Sequence, residues 1–158
     1  PTLAWWPGKI PANSVCSEPA MTIDLLPTVA KMIGAKLPGH KIDGKNILPL
    51  MVKEGAKSPQ KAYYFYYGNQ LQAVRQGKWK LHFPHGYRTM AGKPGGTGGI
   101  PTNYSQAKIG LTLFDLKKDI GESIDLSAEF PEVLKRLSVM GKKFDGALKK
   151  SKRPAGKI

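Results

Sequence analysis

The spacing of apolar residues along the chain changes period, and each change marks an element. From Met21 to Gly34 the apolar positions Ile23, Leu26, Val29, Ala30 and Ile33 recur at helical spacing, which predicts a helix with that face inward. Thr22 or Asp24 can cap it, Pro27 fits its first turn and Gly34 supplies the stop. Upstream, the aromatic, β-prone stretch Thr2 to Trp6 closes at Pro7-Gly8 and predicts a strand running into a turn. Lys36 to Asn46 reads as a loop, followed by a short helical turn near Ile47 to Val52.

The period then shortens to two. Lys61 to Tyr67 is expected as a strand ended by Gly68-Asn69, and Leu71 to Gln76 as a second strand turning at Gly77. Lys78 to Phe83 alternates, with Trp79, Leu81 and Phe83 on one face and Lys78, Lys80 and His82 on the other. Short connections make this an antiparallel meander, to which Leu111 to Leu116 adds a fourth strand. Between strands three and four, Pro84 to Gly110 holds seven glycines and is expected to be a long loop. Phe130, Val133, Leu134, Leu137, Met140, Phe144 and Leu148 trace one face of a long C-terminal helix, with Pro131 in its first turn. The expected fold is α+β: a strand-helix piece over 1–55, a four-stranded antiparallel sheet packed on a long helix over 56–150, and a disordered basic tail over 151–158.

A length of 158 residues suits one domain, or one domain with an appendage, and can bury a real core. No apolar run approaches the span of a bilayer, and no signal peptide is expected at the N-terminus. The net charge is +14, and from Lys135 onward nine basic residues face a single acid, Asp145. Such a surface fits a polyanion, nucleic acid or sulfated polysaccharide, or is simply a solvated helix face. The single cysteine, Cys16, excludes an internal disulfide, and with three histidines a structural zinc site is not expected.

Candidate chemistry is sparse. Gly92 to Gly99 lacks the lysine-hydroxyl pair of a phosphate loop, and Pro101 stands where a dinucleotide fingerprint needs its third glycine. His82 and His85, three apart on an extended strand, would point to opposite faces, which argues against a shared metal. No nucleophile elbow or paired carboxylates occur. His85 opens the glycine-rich loop beside Tyr87 and Arg88, and that trio suits a sugar hydroxyl or an anion, or anchors the loop by hydrogen bonds. The aromatic strands lack the pattern of an RNA-recognition sheet, so nucleic acid is the weakest partner.

Six segments recur in a family order: Pro7-Gly8-Lys9-Ile10-Pro11, Thr22-Ile23-Asp24-Leu25-Leu26-Pro27-Thr28, Ile42-Asp43-Gly44 with Ile47-Leu48-Pro49-Leu50, Ala73-Val74-Arg75 with Gly77 to Leu81, Leu113 to Leu116 with Asp119 and Gly121-Glu122, and Phe130 to Val133. Together they resemble the C-terminal portion of type I sulfatases, nearest the arylsulfatase A and N-acetylgalactosamine-6-sulfatase group. The resemblance implies a sulfuric ester hydrolase of alkaline-phosphatase-like fold acting on a sulfated carbohydrate or aryl sulfate, in a periplasmic or extracellular setting. It implies residues 1–55 as the edge of the catalytic α/β domain, 56–150 as the C-terminal subdomain, and the N-terminal sulfatase domain as partner. In that family a Cys (or Ser)-x-Pro-x-Arg signature becomes formylglycine beside calcium; Glu18 and Ala20 follow Cys16 instead, so neither cofactor is expected in this chain, which alone is expected to be inactive. The resemblance carries substrate contact onto His85 and, more weakly, Arg88. The rival expectation is a stand-alone basic module binding sulfated polysaccharide or another polyanion.

Overall fold

The computed structural model describes residues 2–152, which form two compact units divided between Lys61 and Ala62. Arg153 to Ile158, most of the expected tail, lie outside the described residues.

In the first unit a 3-10 turn, Thr22–Asp24, runs into α1, Leu25–Ile33, and α2 spans Leu48–Val52. Gly34 ends α1 at φ 67°, a left-handed position that costs glycine little. The expected burial holds for Ala30 alone. Ile23, Leu26, Val29 and Ile33 are exposed, while Asp24, Pro27 and Thr28 are buried beside Ala30. Thr2 to Trp6 forms no strand, and Leu3 and Trp5 stand almost wholly in solvent. A strand is held by a hydrogen-bonded neighbour, and this unit contains no other strand among its described residues.

Beside the buried Ala30, Ile47 and Leu50, the first unit holds a buried polar junction. The fully buried carboxylate of Asp24 accepts from the Met21 amide at 2.9 Å, the Lys45 amide at 2.8 Å and Gln60 Nε2 at 2.6 Å. Thr28 Oγ1 donates to the Asp24 carbonyl and accepts from the Ile47 amide. A side chain at Gly44 would collide with the Ile23 carbonyl and come within 3.2 Å of Pro27. Two of the family segments, Thr22 to Thr28 and Ile42 to Leu50, therefore meet at one buried junction.

The second unit contains the expected four-stranded antiparallel sheet, β1 (Tyr63–Tyr67), β2 (Gln70–Gln76), β3 (Trp79–His82) and β6 (Thr112–Asp115), in the order β1-β2-β3-β6. Its hairpins turn at Gly68 and Gly77, both at φ 57°. Val74, Leu81 and Leu113 align across three strands and are fully buried beneath α3, Pro131–Ser151. Leu137 enters that cluster, flanked by Val133, Leu134 and Met140, and Phe144 stacks on Tyr64 at 3.7 Å. Gly141 lets the helix approach the sheet, since a Cβ there would meet Val74 and Phe83 at 2.7 Å. The α+β expectation holds for this unit.

One expectation here is corrected. Pro84 to Gly110 is not a structureless loop: β4, His85–Thr89, pairs antiparallel with β5, Ser105–Ile109, as a separate two-stranded ribbon.

Candidate functional site

The site forms where β3 hands over to that ribbon. β3 ends at His82, Phe83 and Pro84 carry the chain past it, and His85 opens β4. Proline fixes its own φ and biases the residue before it, so the chain leaves the strand direction at this step. The two histidines consequently share a side: their rings stack with centroids 5.4 Å apart and planes 20° apart. The expectation of opposite faces required one continuous strand, and the strand does not continue.

His85 Nδ1 donates to the Phe83 carbonyl at 2.7 Å, which leaves Nε2 as the atom offered to a ligand. That nitrogen can accept from a hydroxyl, or donate to an anionic oxygen when the ring is protonated. Tyr87 follows on the same face, its ring 6.3 Å from that of His85 and the residue 42% exposed. Alternation along β4 puts Arg88 on the other face of the ribbon. The predicted trio is thus split: imidazole and phenol converge, and the guanidinium points away from them.

Beneath His85 lies an ionic floor that spacing did not reveal. Glu122 accepts from Lys80 Nζ at 2.5 Å and from His82 Nε2 at 2.6 Å. It does so from a left-handed backbone position, φ 55°, which a non-glycine residue adopts only when its surroundings hold it there. The loop that presents it is tied down by Asp119, whose carboxylate accepts from the Ser123 and Ile124 amides at 2.7 and 2.8 Å. Asp115 accepts from Lys78 Nζ at 2.6 Å. This accounts for the acidic family segment: its carboxylates bind backbone amides, lysines, Ser123 and His82.

Burial, reinforced by the positive charge of Lys80, holds His82 below its ordinary value of 6.5 despite the opposing pull of Glu122. Burial raises Glu122, but the Lys80 hydrogen bond and charge, with a smaller share from His82, bring it net below 4.5. The floor at neutral pH is an ion pair plus a neutral imidazole. His82 Nδ1 is buried without a hydrogen-bond partner.

Among the described residues no group of three or more His, Cys, Asp or Glu stands close enough to hold a metal ion, and Cys16 is free and exposed. The described residues therefore offer no calcium cluster, and Glu18 and Ala20 stand after Cys16 where a formylglycine signature needs proline and arginine. No helix is long and apolar enough to cross a membrane, among the same residues.

Comparison with known proteins gives a consistent set of relatives. Residues 58–157 match a family described as the C-terminal region of aryl-sulfatase, and residues 1–85 one described as N-sulphoglucosamine sulphohydrolase, C-terminal. Arylsulfatase A of Homo sapiens is 36% identical over 164 residues, covering 94% of this chain and 31% of that protein. N-acetylgalactosamine-6-sulfatase of Canis lupus familiaris is 31% identical over 153 residues, covering 87% and 28%. The crystal structure of PsFucS1 sulfatase from Pseudoalteromonas sp. superposes with a TM-score of 0.73 at 19% identity, over 98% of this chain and 30% of that one, which speaks to fold alone. The chain spans less than a third of the length of these curated relatives.

Proposed function

Because this chain belongs to the sulfatase family, as its C-terminal region, we propose that in the whole enzyme it walls the substrate cleft of a sulfuric ester hydrolase. The substrate is a sulfated carbohydrate or an aryl sulfate, the two classes that the relatives' names carry. The observation that supports this reading is the pairing of His85 and Tyr87 on one face of a ribbon whose first residue is braced by His82, Glu122 and Lys80. An imidazole nitrogen and an aromatic ring side by side suit a sugar, which offers hydroxyls at its rim and an apolar face. His85 is the main contact. Arg88, on the opposite face, contributes less, and to a group approaching from that side.

The N-terminal sulfatase domain would supply formylglycine and calcium, and no step of that chemistry falls to residues described here. A periplasmic or extracellular setting belongs to the same proposal. The test is His85→Ala in the full-length enzyme. KM for a sulfated sugar is expected to rise about tenfold, or ~1.4 kcal/mol, with kcat changed less. Arg88→Ala should produce a smaller rise. An unchanged KM for His85→Ala would overturn the assignment.

A further inference from the structure

The outer face of α3 carries its cations in register. Leu137 and Gly141 are buried on the inner side. At about 100° per residue, Lys135, Lys142 and Lys149 form one row on the far side, and Arg136, Lys143 and Lys150 a second row beside it. All six are exposed. Each row repeats every seven residues, about 10 Å along the axis at ~1.5 Å per residue. Two carboxylates lie on this helix: Glu132 in its first turn, and Asp145, which is bound by Tyr66 Oη at 3.0 Å and Lys149 Nζ at 2.6 Å. The face is therefore strongly positive along most of its length, and a surface this charged is not one that another protein buries as core.

We propose that this face is a docking track for a sulfated polysaccharide chain, which holds a polymeric substrate outside the cleft. The identity of the polymer rests on the function proposed above; the track itself rests on the two rows. Regular pitch suits a linear polyanion whose sulfates recur along an extended chain. Five of the six cations are lysines, compact point charges rather than the planar forks that read bases. The one arginine, Arg136, is engaged by Gln76 on β2. No aromatic side chain stands between the rows to stack a nucleobase; Val139 and Gly146 fill that place.

The experiment uses the 158-residue protein on immobilised heparin, eluted across a sodium chloride series. Lys135, Lys142, Lys143 and Lys150, each changed to Gln, should weaken binding at least tenfold and flatten the log-log salt slope by about 3, at ~0.7–0.9 per cation removed. A control with Lys9, Lys31, Lys36 and Lys41 changed to Gln loses the same charge from the first unit, and should stay within twofold of the parent. Circular dichroism of both variants should match the parent, since every altered side chain is exposed. Equal losses in the two variants would reduce the effect to net charge and overturn the track. Equal affinity for desulfated heparin, or tighter binding to duplex DNA at the same salt, would overturn the sulfated polymer. An unchanged KM for His85→Ala with heparin retention intact would instead strike the cleft assignment and leave the track standing.

Discussion

Glu122 Oε2 lies 2.6 Å from His82 Nε2 while its other oxygen holds Lys80, so one carboxylate sets the floor on which His85 stacks. The neutral state of His82 makes that floor sensitive to acid. The unfolded chain takes up a proton near 6.5, whereas the folded ring, with its lowered value, resists it. Between those two values the unfolded state binds more protons, so the contribution of His82 is constant above 6.5 and stability is lost through it as the pH drops below that value. Glu122, lowered from 4.5, adds a second loss beneath that value. Denaturant midpoints at pH 7.5 and 5.5 should show the first loss in the parent and not in His82→Gln. An equal loss in both would refute this origin.

Two glycines of α3 should respond in opposite directions to the same substitution. Gly146→Ala meets nothing within 4 Å and should stabilise by up to about 1 kcal/mol through helix propensity. Gly141→Ala gains the same propensity but drives a methyl against Val74, which is fully buried and cannot yield. Overpacking costs of about 1–3 kcal/mol then outweigh the gain. Urea unfolding of the two variants measures the signs directly. Stabilisation by Gly141→Ala would mean that the helix does not sit on the sheet at this distance.

The two periods made the second unit readable. Trp79, Leu81 and Phe83 alternate with Lys80 and His82 because each strand of the sheet has one face under α3, and Leu137 repeats with its neighbours for the same reason. The β4–β5 ribbon left no such trace. A two-stranded ribbon outside the main sheet buries little, so His85 to Thr89 carries no apolar alternation, and Ser105 to Ile109 only the short one of Ala107 and Ile109 with Gln106 and Lys108. The apolar stripe of α1 was visible, but its direction was not, because periodicity shows that a face is apolar without showing what covers it. Glu122 gave no signal in periodicity or spacing. Its role depends on a left-handed backbone position and on two side chains forty residues upstream. The family segment around it drew attention to the right loop for reasons that only the hydrogen bonds explain.

Asp24 should behave as a structural anchor. Its two oxygens receive three donors, so Asp24→Asn turns one accepting position into a donor that faces another N–H. A buried donor left unpaired costs about 1–3 kcal/mol. Hydrogen exchange at the Met21 and Lys45 amides should accelerate, while amides of β2 and β3 keep their protection. Gly44→Ala should loosen the same junction through its clash with the Ile23 carbonyl. Unaltered exchange in both variants would show that the junction does not depend on these contacts.

The 158-residue chain alone should not hydrolyse an aryl sulfate. Its described residues offer no metal cluster, and its one cysteine lies outside the family signature. Steady release of a chromogenic phenol by the purified chain, at a rate proportional to its concentration, would contradict this.

The exposed apolar side of α1 sets the last expectation. Leu26, Val29 and Ile33 stand in solvent along one stripe, a surface that soluble proteins ordinarily cover. In the isolated chain, Leu26→Ser, Val29→Ser and Ile33→Ser together should lower binding of a hydrophobic dye and suppress self-association in sedimentation. The unfolding midpoint should move little, because exposed substitutions usually stay within about 0.5 kcal/mol each. In the full-length sulfatase the outcome should reverse. If the N-terminal domain covers this stripe, the same three changes remove buried apolar area there, and each lost contact of a Leu, Val or Ile side chain costs about 1.5–3 kcal/mol. The full-length variant should therefore melt well below its parent while the isolated chain does not. Equal tolerance in both would mean that the stripe is not where the two parts of the enzyme meet.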